Sequence, residues 1–148
     1  MRMIRYRAKV MLPEWPIVRK HEVPEGQWVY GEPHTIDCPT PHIHTANGDV
    51  GKQPIDKETL GQFTGLIDKN GKEIYEGDIV KIKTLQGIVT WHPNGYFCIH
   101  TYKCDISEVS YTAIGDMVDY FHKDLYDDGL EVIGNTFDNP DLLKGGEE

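Results

Sequence analysis

The stretch Gln62-Phe63-Thr64-Gly65-Leu66-Ile67-Asp68-Lys69-Asn70-Gly71-Lys72-Glu73-Ile74-Tyr75-Glu76-Gly77-Asp78-Ile79-Val80 alternates short apolar runs with polar reversals. Residues 62–66 read as a short strand bounded by turn formers. Residues 68–72 read as a turn, in which Asn70-Gly71 offers the two positive-φ positions of a tight hairpin. Glu76-Gly77-Asp78 is a second reversal. Gly71 and Gly77 read as backbone requirements of these turns, and Asp68 and Asp78 as side chains that bond turn amides. Downstream, Ile79, Val80 and Ile82 begin a strand ending near Thr84, and Gln86-Gly87 turns the chain into residues 88–91. Pro93-Asn94-Gly95 turns it again into residues 96–99. Three strands joined by short turns form a meander, the unit from which small SH3-like barrels are built.

Upstream of this run, Ile4, Tyr6, Ala8 and Val10 share one face of a period-two pattern, with Arg5, Arg7 and Lys9 on the other. That pattern predicts a half-buried strand with a cationic outer face. Residues 27–31 are aromatic and β-branched enough to be its returning partner. Four prolines and two glycines between Glu32 and Pro54 predict an irregular excursion with room for short strands, long for a loop in a compact domain. Downstream, Ser107 is placed to cap a helix running to about Lys123, with Val109, Ala113, Met117 and Phe121 on one face. Residues 130–133 read as a closing strand, and Asn139-Pro140 as the start of a short terminal helix. The expected fold is therefore mainly β: a small SH3-like barrel or meander with an N-terminal β segment and one or two short helices. Residues 1–57 form the N-terminal segment and loop, whether as a separate lobe or as part of the same domain, and residues 58–148 the core barrel.

The chain of 148 residues falls within the range of one compact domain and buries enough surface to fold without metal or disulfide. Gly (15) and Pro (9) exceed their usual share, which points to many turns. A hydrophobic content of 39 % places the chain among folded proteins and not disordered ones. No apolar run approaches the roughly 18 residues of a membrane helix. The N-terminus lacks the apolar core of a signal peptide, and three cysteines, an odd number, point to a reducing cytoplasm. The formal charge of −9 is unevenly spread. Residues 1–25 carry six Lys/Arg against three Glu, whereas residues 105–148 carry twelve Asp/Glu against Lys123 and Lys144. A net-acidic chain attracts polyanions weakly, so the asymmetry reads first as a basic segment meeting an acidic one, within a chain or between copies.

The sharpest cluster of chemistry is His34, Cys38, His42 and His44, spaced H-x3-C-x3-H-x-H. Imidazole and thiolate suit zinc, but the spacing is not that of paired knuckles, and Pro39 and Pro41 restrict how the chain wraps. Loop histidines are the simpler reading, and no metal or other cofactor is expected. Cys98 and Cys104 near His92 and His100 make Cys–His couples on paper, without the oxyanion site and orienting group that catalysis needs. Cys98 reads as a small buried apolar residue. Asp116, Asp119, Asp124, Asp127 and Asp128 lack the alternation of a calcium loop and read as a solvated acidic face. There is no glycine-rich phosphate cradle. Tyr6, Trp28, Tyr30, Trp91, Tyr96, Phe97 and Tyr102 would stack bases if exposed beside Arg5, Arg7 and Lys9, but large aromatics are more simply core.

The central run, together with residues 4–8, 26–31, 131–135 and Asn139-Pro140 in order, resembles the signature of YopX-type phage and prophage proteins. That resemblance spans most of the chain, apart from residues 32–53 and 107–123. It implies a small, mostly β, self-associating protein of the bacterial cytoplasm and carries over no activity, cofactor or catalytic residue. The expectation is a non-enzymatic binding or assembly module that forms a homo-oligomer or meets a phage or host protein. Tyr75 and Asp78 are candidates for presentation to a partner, and Arg5, Arg7 and Lys9 for the basic contact. The alternative is a nucleic-acid-binding protein using that basic strand and the aromatics; no membrane is involved.

Overall fold

The computed structural model describes residues 5–19, 21–37, 39–45, 50–82, 85–92, 95–103, 111–113 and 130–144. The chain is mainly β and antiparallel, with eleven strands among these residues and two short 3-10 segments, Lys57–Thr59 and Pro140–Lys144. It divides into two compact units at Phe63/Thr64, within a single strand.

The first unit holds β1 (Tyr6–Lys9), β2 (Trp28–His34), β3 (His42–Thr45), β4 (Lys52–Pro54) and the start of β5 (Gly61–Ile67), in the order β4-β3-β2-β1-β5. The excursion after Glu32 is therefore more regular than its prolines suggest. β2 runs on to His34 and pairs with β3, matching Glu32 with His44 and His34 with His42. The prolines fall at strand ends and loops, where the missing N–H is tolerated. Ala8, Val10, Val23, Val29, Ile43 and Ile55 form the core, and a single bridge from Val10 to Ile55 ties the end of β1 back beyond β4.

The cationic outer face of β1 is corrected by this packing. Arg7 is only 5 % exposed, because both faces of β1 are covered. The guanidinium lies 4.5 Å from the ring centre of Trp28, with the Lys9 ammonium 5.5 Å from the same ring and Arg5 5.5 Å from that of Phe63. Aromatic faces are attractive to cations, so the basic side chains are laid along aromatic rings and not spread as a stripe to solvent.

The second unit carries β6 (Glu73–Tyr75), which neighbours β5, and a five-stranded sheet in the order β10-β9-β8-β7-β11. Its strands are β7 (Asp78–Ile82), β8 (Leu85–His92), β9 (Tyr96–Lys103), β10 (Tyr111–Ala113) and β11 (Glu131–Asn135). The expected meander is β7-β8-β9, but the ladders stay open, so no closed barrel forms among the described residues. The core is Ile74, Val80, Val89, Phe97, Ile99, Leu130 and Val132.

Three local expectations change. In the β5–β6 turn only Gly71 has positive φ (83°). Gly71 N–H donates to Asp68 O and Asp68 N–H to Lys72 O, giving a three-residue loop with glycine in the left-handed position in place of a two-residue Asn-Gly turn. Gln86-Gly87 is not a turn, because Ile82 already pairs with Leu85 and Gly87 sits opposite Val80 inside the sheet. A Cβ at Gly87 would collide with Ile99 Cγ2 and lie 2.9 Å from His100 O, so glycine is there for close strand approach. Of the helix expected over 107–123, residues 111–113 are instead β10, paired with β9 through Tyr111–His100 and Ala113–Cys98. The aromatic and β-branched pair Tyr111-Thr112 favours a pleated surface over a helix. The rest of that span lies outside the described residues.

Candidate functional site

The residues that gather chemistry lie in the first unit, around the β2–β3 hairpin. Residues two apart on a strand share a face, which puts His42 and His44 side by side, while strand pairing sets His34 across from His42. The His34 and His44 rings stack at 3.9 Å between centres and 29°, and His42 Nε2 is 3.2 Å from His44 Nε2. Glu32 approaches His34 at 3.8 Å. Burial first, then the nearby His34, Lys52 and His42, lower the His44 pKa from its ordinary 6.5, with Glu32 opposing them. Its surroundings therefore favour the neutral imidazole of His44.

His42 is fixed from behind. Thr35 Oγ1 donates to Thr40 O at 3.2 Å, leaving its oxygen to accept from His42 Nδ1–H at 3.0 Å. Thr40 O lies 3.4 Å from the same ring nitrogen. A carbonyl only accepts, so Nδ1 carries the proton and Nε2 presents its lone pair toward His44. Thr35 holds its hydroxyl there from a left-handed backbone, φ 50°, which a β-branched residue rarely adopts.

Beside these rings, Trp15, Ile17, Val18, Arg19, Lys52 and Pro54 line a groove of about 400 Å³. The proline-broken segment leading into it leaves large apolar side chains in solvent: Met11, Leu12 and Trp15 are about half exposed and Val18 fully so. Arg19 is held in the wall. Its Nη1 donates to Val23 O and to Gln53 Oε1, both at 2.9 Å. Gln53 is completely buried, and its amide nitrogen donates to His21 O and Val50 O. Both ends of that amide are thus satisfied, as burial demands, and the guanidinium is pre-oriented.

The other expected site residues are placed differently. Tyr75 and Asp78 come together but inside the second unit, both almost wholly buried. Asp78 Oδ2 accepts from Tyr75 N–H at 2.8 Å, which is the turn chemistry the sequence suggested. Asp68 does more than brace its turn. Oδ1 accepts from Asn70 and Lys72 N–H, each at 2.8 Å, and Oδ2 from Val132 N–H on β11. Cys98 is buried, with Sγ 3.3 Å from Thr90 Oγ1, consistent with a core residue. Of the aromatics, Phe97 is core, whereas Tyr30 and Trp91 are substantially exposed. Cys38, Cys104 and the acidic residues Asp116 to Asp128 lie outside the described residues. Among the described residues no group of three or more His, Cys, Asp or Glu is placed to hold a metal ion, and no helix is long and apolar enough to cross a membrane.

Sequence reading missed Arg19, Gln53 and Thr35. Arg19 counted only toward a charge total, and neither Gln53 nor Thr35 stands in a motif; the apolar pairs Met11-Leu12, just before Pro13, and Ile17-Val18, just after Pro16, were the available signal of an exposed binding segment.

These features define a two-unit β protein whose polar chemistry gathers at an open groove. The model of the YopX protein family matches residues 25–144, and the chain belongs to that family. None of the curated proteins compared with the chain matches it.

Proposed function

We propose that this protein is a phage- or prophage-encoded, non-enzymatic binding and assembly module that associates with a second copy of itself in the bacterial cytoplasm. The observation that carries the reading is the groove of the first unit, where exposed Trp15 and Val18 line the wall with the held cation Arg19 and with Lys52, and where Met11 and Leu12, earlier in the same segment, are also exposed. Contiguous exposed apolar surface bordered by charge is characteristic of interaction sites. The occupant is argued from charge: the groove walls are cationic, and residues 105–148 of the same sequence carry twelve carboxylates against two lysines. Complementary charge of this kind steers association and is weakened by salt. Nucleic-acid binding through Arg5, Arg7 and Lys9 is the less supported reading, since these cations lie against aromatic rings and Arg7 is buried.

Multi-angle light scattering across a salt series tests the proposal. A dimer or larger assembly at low salt, loosened by added salt and by Arg19→Glu or Val18→Glu, is the expected result. A strict monomer at low salt overturns it. DNA retardation that is abolished by Arg5→Glu would instead establish the nucleic-acid reading.

A further inference from the structure

We infer that His42 and His44 form a two-imidazole chelate for a divalent transition-metal ion, with zinc the ion whose ligand preferences they fit. Zinc binds imidazole nitrogen at about 2.0–2.1 Å in tetrahedral geometry, which sets two nitrogens of one ion about 3.3–3.4 Å apart. The Nε2 atoms of His42 and His44 stand 3.2 Å apart. Their placement follows from β3, whose alternation puts both rings on one face, and not from a flexible loop.

The surroundings match those of a ligating histidine. Metal-bound imidazoles usually donate their other ring N–H to a carbonyl, hydroxyl or carboxylate, which fixes the tautomer and the ring plane. His42 Nδ1–H does so to Thr35 Oγ1, with Thr40 O also near, leaving Nε2 as a lone-pair donor. Thr35 adopts an unfavourable backbone conformation to place that hydroxyl, and such outliers concentrate at functional sites. The His34 ring stacks on that of His44, 3.9 Å between centres, and supports its plane. Two protein nitrogens leave coordination positions open to water or to another donor. The H-x3-C-x3-H-x-H spacing argued against a zinc knuckle. The chelate is a different arrangement, needing only the H-x-H pair on a strand.

Calorimetric titration of zinc chloride into the full chain, free of any histidine tag and stripped with EDTA, decides the matter at pH 7.5. One equivalent is expected, with affinity falling at least tenfold in His42→Ala and in His44→Ala. Thr35→Val should weaken binding by about tenfold, the lower end of the effect of removing an outer-shell partner. His21→Ala, which removes a ring outside the pair, should leave it unchanged. Circular dichroism of each metal-free variant confirms that the fold persists. No uptake of zinc by the parent chain overturns the inference and marks the 3.2 Å contact as an N–H···N hydrogen bond between the two rings. Uptake that survives both histidine substitutions also overturns it, by placing the ion elsewhere.

Discussion

The carboxylate of Asp68 accepts a hydrogen bond from the backbone N–H of Val132, 64 residues away, at 2.9 Å. The same side chain closes the β5–β6 turn through Asn70 and Lys72, so one buried carboxylate joins the turn to β11. Removing it leaves three backbone donors to find new partners, at least one of them buried. Leaving a buried donor unsatisfied costs about 1–3 kcal/mol, so Asp68→Ala should destabilise by about 3 kcal/mol in urea unfolding. Asp68→Asn, which keeps one acceptor oxygen, should lose less.

Gly87 carries a steric constraint of another kind. A methyl group there meets Ile99 Cγ2 and the backbone of His100 on β9, and backbone cannot step aside cheaply. Gly87→Ala should cost about 2 kcal/mol, within the range for overpacked sites, with the loss read as a lowered denaturant midpoint. Gly71→Ala, where nothing lies within 4 Å but φ is 83°, should cost only about 1 kcal/mol from the left-handed conformation.

Arg7 tests whether β1 is a binding strand or a structural one. Its guanidinium is buried against Trp28, and a desolvated contact of this kind is worth about 2 kcal/mol. Arg7→Glu should lower the unfolding midpoint by at least that equivalent. Loss of an interaction with full retention of stability would show that the side chain is available to partners after all.

The lowered pKa of His44 has a definite sign for the metal-free protein. The unfolded chain binds the proton first as pH falls, so stability is complete above about 6.5 and declines as pH drops below that value toward the folded pKa. Urea titrations between pH 7.5 and 5 in EDTA should show this decline, and His44→Gln should flatten it. With zinc present, ligand linkage adds stability at the neutral end and protons compete it away at the acidic end.

The strand-and-turn skeleton was legible because its signals are local. Residues 62–80 carry their own turn residues, and Asp68, Gly71, Gly77 and Asp78 do what their chemistry suggests. The reading failed where long-range pairing decides. Gly87 resembles a turn former until β9 is laid beside it, and Tyr111-Thr112 becomes strand only through β9. The burial of Arg7 depends on Trp28 and is invisible to an alternation rule that assumes one wet face. The histidines were visible as a cluster, but not their convergence, which requires the His34–His42 register and the hydroxyl of Thr35. Arg19 and Gln53, 34 residues apart, share no pattern at all.

Thr35 leaves a trade between ease and aim. A glycine at that position would relax the chain, yet it would surrender the hydroxyl that steers the His42 imidazole. Selection for mere durability would favour the smaller residue, whereas selection for a fixed ring angle favours the strained one. Thr35→Gly is therefore expected to give a hardier protein with a wandering His42, separating endurance from purpose in a single substitution.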